Sequence, residues 1–194
     1  MQFLTDRLRN RESQPFFLWS SWIAPHPPFA VCEPYDTMYS PDEVGWPDYT
    51  DRPLSDLPET VWSSRARLDG ALQDPERMRR IKALYYRKVS HVDDCVGRLL
   101  RHLEELGLTD NTIVIFTSDH GEMLGDHGLV QKQVPYEASV WILFIIRWPK
   151  VTHASQASDD LVSLLDLFPV LIDALDLPYA GNVVNLASKS LYNS

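Results

Sequence analysis

The sequence predicts an α/β fold, a mostly parallel sheet flanked by helices, and three observations carry that expectation. Residues 113–117 form a β-branched and aromatic run that stops abruptly at Ser118-Asp119-His120-Gly121, which reads as a buried strand ending in a glycine-permitted turn. Ahead of it, Ile81, Leu84, Tyr85, Val89, Val92, Val96, Leu99, Leu103 and Leu106 recur at helical spacing. After it, residues 140–146 are a second apolar run of strand length, closed by Trp148-Pro149. A helix feeding a β-branched buried strand is the alternation of α/β domains.

Each element follows from local chemistry. Charges at Asp6, Arg7 and Arg9 interrupt the apolar stretch of residues 1–10, so it is not a secretory leader. Residues 15–23 read as a buried strand, and Pro25, Pro27 and Pro28 beyond it hold His26 in a stiff extended loop. Residues 33–73, rich in proline, aspartate and aromatics without a period, read as a long loop or lid. Asp74-Pro75 supplies an N-cap and a proline at the first helical position, and Gly107 stops the helix. Residues 160–175 read as an amphipathic helix, kinked or restarted at Pro169. Residues 179–194 are a weakly patterned tail, and the 194 residues are expected to form a single domain.

Composition excludes some classes of function. The chain is 44% hydrophobic and 23% charged, as globular proteins are, and its net charge of −9 argues against a nucleic-acid partner. The longest apolar run is far too short to span a bilayer, so no membrane partner is expected. Cys32 and Cys95 match no disulfide framework and no metal motif, and are expected as thiols.

The candidate site lies where the first strand ends, because open α/β sheets bind ligands at the carboxyl ends of strands. An adjacent carboxylate and imidazole, Asp119 and His120, are candidate metal ligands; the alternative is a strand-end turn in which Asp119 caps the next segment. Lys132 is either an anion-binding cation or a solvated loop residue. His26 is either an acid that protonates a leaving oxygen or a loop histidine packed between prolines. Glu122, Asp126 and His127 read as supporting or turn residues, and His91, Asp93 and Asp94 as a solvated helix face.

Thr112-Ile-Val-Ile-Phe-Thr-Ser-Asp-His-Gly-Glu122, Leu124-Gly-Asp-His-Gly128, Lys132, Tyr136-Glu137 and Arg147-Trp-Pro149 together resemble the sulfatases, within the alkaline-phosphatase-like superfamily that includes phosphonate monoester hydrolases. The resemblance covers residues 14–178, with Pro25-His-Pro-Pro28 similar to the family's histidine loop. It implies a partial alkaline-phosphatase-like sandwich, a small anionic ester as substrate, a hydrolase of sulfate esters and a divalent cation held by Asp119 and His120. Calcium is the expected cation, with manganese, magnesium or zinc as alternatives. Lys132 and His26 would face the ester, and Lys132 lies 13 residues after Asp119, as in the family. The same resemblance leaves open a phosphonate or phosphate ester hydrolase, or a non-catalytic interaction module.

Two departures stand out. The family's Cys/Ser-x-Pro-x-Arg nucleophile, the source of its formylglycine, is not in this chain; Cys32-Glu-Pro-Tyr-Asp36 lacks the arginine and follows the histidine loop instead of preceding it. The chain therefore reads as the later part of a catalytic domain, inactive alone. Trp141 and Leu143 stand where the family often carries an arginine and a proline. The cytoplasm is the expected compartment, and the oligomeric state is left open.

Overall fold

The computed structural model describes residues 1–10, 14–45, 58–59 and 74–178. The chain divides into two compact units, Met1–Ile113 with His120–Trp141, and Val114–Asp119 with Ile142–Ser194. Residues 46–57 and 60–73 of the expected lid, and the tail 179–194, lie outside the described residues.

The first unit is organised on one long helix, α2 (Pro75–Glu105), with the shorter α1 (Gln2–Arg9) before it. The Asp74 carboxylate accepts the amides of Glu76 at 3.0 Å and Arg77 at 3.2 Å, so two of the helix's orphan N–H groups are satisfied as expected. At the other end Gly107 takes a φ of +66°, and Leu108 N–H bonds Leu103 O at 2.9 Å, which closes the last turn. In α1, Leu4 is buried, Thr5 hydrogen-bonds His102 of α2 at 3.0 Å, and Phe3 meets Phe16 edge to face.

Helix α2 also carries the segment that follows the prolines. Phe29 meets Tyr85 edge to face at 6.3 Å, Tyr35 packs on His91 at 4.9 Å, and Tyr39 donates to or accepts from Ser90 at 2.9 Å. Arg87 donates to Tyr39 O. His91 is thus half-buried against an aromatic ring and is not part of a solvated face.

Residues 15–23 do not form the expected strand. A strand exists only with a partner for its backbone groups, and among the described residues none pairs with this segment. Apart from Phe16, which packs on Phe3, its side chains are exposed, Trp19 at 70% and Ile23 at 84%.

The second unit holds the two strands, β1 (Val114–Thr117) and β2 (Phe144–Arg147). They pair antiparallel, Val114 opposite Arg147 and Thr117 opposite Phe144, where the sequence led us to expect parallel neighbours. The reason is geometric: the chain that leaves β1 at Thr117 re-enters opposite that residue at Phe144, whereas a parallel neighbour would have to begin at the other end. Neither strand is fully buried: β1 is half-buried throughout and β2 exposes Ile145, because a two-stranded ribbon cannot cover its own faces.

The expected strand at 140–146 starts only at Phe144; its first residue belongs to the helical turn α3 (Glu137–Val140). The expected helix at 160–175 also starts late. Ser163 and Asp166 form a reciprocal capping box, a 3₁₀ turn spans Leu164–Asp166, and α4 runs Leu167–Ala174. Pro169 sits in the first turn of α4, where no intrahelical N–H bond is lost, so it does not kink the helix. No helix among the described residues is long and apolar enough to cross a membrane.

Candidate active site

Strand β1 ends in a side-chain clamp. Thr117 Oγ1 donates to Leu143 O at 2.7 Å, and Leu143 N–H donates to Ser118 Oγ at 3.1 Å. The two hydroxyls extend the ladder by one residue, and Asp119 follows at the carboxyl end of the strand with its side chain exposed.

The segment from His120 to Trp141 folds on itself around Met123, Leu129 and Val134, with Tyr136 and Ala138 packed against them. Its backbone is stapled at several points. Gly121 N–H donates to Ser139 O at 2.8 Å, Met123 N–H to Gln131 O at 2.9 Å and Gly125 N–H to Leu129 O at 2.7 Å. The Glu122 carboxylate accepts the amides of Leu124 and Gln131, and is thereby a turn residue. His127 stacks on Tyr136 at 4.3 Å, packing the loop against itself.

Ser139 is the residue that brings His120 and Lys132 onto one framework. It is buried; its carbonyl holds Gly121, next to His120, and its hydroxyl donates to Lys132 O at 2.6 Å. The fit leaves no room at Gly121: a Cβ there would lie 2.1 Å from Ala138 O and 3.0 Å from Trp141 O. This glycine is required by close backbone approach.

Both candidate histidines are oriented in the same manner. His120 Nδ1 lies 2.7 Å from Gly121 O, and His26 Nδ1 lies 2.7 Å from Pro27 O. A carbonyl can only accept, so each Nδ1 carries the hydrogen and each neutral ring presents Nε2 as its lone-pair nitrogen. An imidazole whose Nδ1–H is fixed by a carbonyl is the usual form of a metal-ligating histidine.

Sequence reasoning overlooked three residues of this framework. Lys88, 8% exposed, donates to His26 O and to Pro28 O, the latter at 2.9 Å. Burial pushes its pKa below the ordinary lysine value. Tyr85, one turn earlier, packs against Phe29 of the histidine loop, and its phenol is raised above the ordinary value, first by burial and then by the Glu122 carboxylate. Ser139 is the third. The available signal was Lys88 itself, a charge at helical spacing from Leu84, Tyr85 and Val92 within the apolar stripe.

A carboxylate and an imidazole, the side-chain types of Asp119 and His120, are ligand types that suit a hard or borderline divalent ion. Among the described residues no group of three or more His, Cys, Asp or Glu side chains is arranged to hold a metal.

Known proteins share this arrangement of sequence. The chain is 32% identical over 192 residues to the multifunctional alkaline phosphatase superfamily protein PehA of Trinickia caryophylli, covering 89% of this chain and 37% of that protein. It is 33% identical over 190 residues to the arylsulfatase of Clostridium perfringens, covering 96% of this chain and 39% of the relative. The phosphonate monoester hydrolase SpPMH of Silicibacter pomeroyi superposes with a TM-score of 0.73 at 32% identity, covering 90% of this chain and 37% of that structure. The chain thus spans less than two fifths of the length of these relatives. With the sulfatase family model matching residues 1–177, the chain belongs to the sulfatase family of the alkaline-phosphatase-like superfamily.

Proposed function

We propose that this chain supplies the cation-binding and ester-binding half of a sulfate-ester hydrolase site. Asp119 and His120 Nε2 hold a divalent cation, calcium first among the candidates, which when bound polarises an ester oxygen. Lys132 offers its ammonium to the anionic ester oxygens. His26, with Nδ1 committed to Pro27 O, exchanges its proton at Nε2, the atom that delivers it to the departing alkoxide. The observation that carries this reading is the Ser139 bridge, which holds the backbones beside His120 and at Lys132 in one rigid loop.

The chain contains no Cys/Ser-x-Pro-x-Arg motif, and this reading assigns no nucleophile to it. The purified 194-residue protein is therefore expected to bind a divalent cation but to leave aryl sulfates intact. Calorimetric titration with calcium and manganese tests the binding: affinity in the millimolar range or tighter, lost in Asp119→Asn and His120→Ala, supports the proposal. No binding in that range supports a non-catalytic remnant instead. Turnover of an aryl sulfate by the chain alone would refute the division of labour.

The likeness to a phosphonate monoester hydrolase structure favours a second ester. In any longer form that brings the nucleophile, aryl sulfate assayed beside aryl phosphonate separates the two readings. The ester with the higher kcat/KM is the substrate class.

A further inference from the structure

The Pro25-His26-Pro27-Pro28 loop offers three successive carbonyls, and all three are engaged. Lys88 donates to those of His26 and Pro28, and the His26 ring itself takes the one between. Lys88 reaches them from α2 almost fully buried, in a wall that includes Tyr85 packed on Phe29. An ammonium withdrawn from water bonds carbonyls more strongly than an exposed one, because bulk solvent neither competes nor screens. The loop has few alternatives: proline residues have no N–H, so Pro25, Pro27 and Pro28 cannot fix the loop by donating to a neighbour. The loop's one N–H, that of His26, donates to Ile23 O at 2.9 Å; beyond that bond the loop is held through its acceptors, and Lys88 donates to two of them.

We infer that Lys88 is a positioning residue for His26: by holding the carbonyls on either side of Pro27, it keeps Pro27 O aimed at Nδ1 and so fixes both the tautomer and the direction of Nε2. The inference rests on the reading of His26 as the ester-facing histidine, but its signature is separate from hydrolysis and from cation binding. Lys88 touches neither substrate nor cation in that reading, and acts only through the loop.

The tautomer is read by two-bond ¹H–¹⁵N correlation of the imidazoles in the intact chain, above the titration of His26. The His26 signal is assigned by its loss in His26→Gln. In the native protein the Nδ1–H form should dominate. In Lys88→Met, which keeps length and apolar bulk but has no donor, the ratio should fall about fivefold, the effect of one ordinary hydrogen bond, toward the Nε2–H form that free histidine favours. Lys88→Arg, whose guanidinium can still serve two carbonyls, should restore it.

Phe29→Leu loosens the same loop without removing the donor and should leave the ratio unchanged, which separates positioning from general packing. A native His26 dominated by the Nε2–H form, or a Lys88→Met protein with the native ratio, overturns the inference. If Lys88→Met does not fold, the native ratio and that of Lys88→Arg decide. A tautomer shift seen in a chain that binds no cation would leave Lys88 as the loop's anchor and remove the catalytic reading of His26, so the two failures are distinguishable.

Discussion

Gly121→Ala places a methyl group where the structure has a backbone. The added carbon would lie 2.1 Å from Ala138 O and 3.0 Å from Trp141 O, so the chain must open by roughly 1.5 Å to reach an ordinary contact. Neither atom is the end of a flexible side chain. Overpacking of this kind costs about 1–3 kcal/mol. The movement also strains the Gly121–Ser139 bond and, through Ser139, the bond to Lys132, each worth about 1 kcal/mol. The expected loss is about 2–4 kcal/mol, a fall in Tm of about 5–15 °C for a chain of this size. Urea unfolding and thermal melts followed by circular dichroism measure it. Gly97→Ala is the matched control: its nearest heavy atom is the tip of Arg101 at 3.5 Å, and alanine within α2 should stabilise by about 0.5–1 kcal/mol. If Gly121→Ala melts within a degree or two of the native chain, the close approach around Ser139 is not as described, and the loop argument for His120 and Lys132 fails with it.

The same loop should respond to its core. Met123 is fully buried against Leu129 and Val134, so Met123→Ala should cost about 2–5 kcal/mol in urea unfolding and weaken calcium affinity in calorimetry. Tyr85 gives a test in alkali. Its folded pKa lies above the ordinary 10.0, so its contribution to stability is complete below that pH and is lost as pH rises through the folded value. Tyr85→Phe should lack this loss, and Glu122→Gln should lower the folded value, as seen in ultraviolet difference titration of the tyrosines. Lys88 acts in the opposite sense: its folded pKa is depressed, the unfolded chain binds more protons between the two values, and its burial penalty fades as pH rises toward 10.5. In Lys88→Met that gain should be missing from the pH dependence of unfolding.

The sequence was explicit wherever the information was local. Asp74 and Pro75 announced the start of α2 and Gly107 its end, because capping needs only neighbouring backbone groups. The Ser118-Asp119-His120-Gly121 break located the candidate ligands, because an apolar run and its termination are properties of consecutive residues. Apolar content at 15–23 did not make a strand, since strand pairing depends on a partner that composition cannot name. The direction of β2 was equally beyond reach, because periodicity is the same for parallel and antiparallel neighbours.

What the sequence settled by itself was membership of the sulfatase family and the chemical character of Asp119, His120, Lys132 and His26, since both reside in the order and type of the side chains. Only the tertiary structure decided that Ser139 ties two of those residues to one loop and that Lys88 and Tyr85 reach across from α2. Those partners lie far apart along the chain, and a hydrogen bond between distant residues is fixed by packing, which no local pattern encodes.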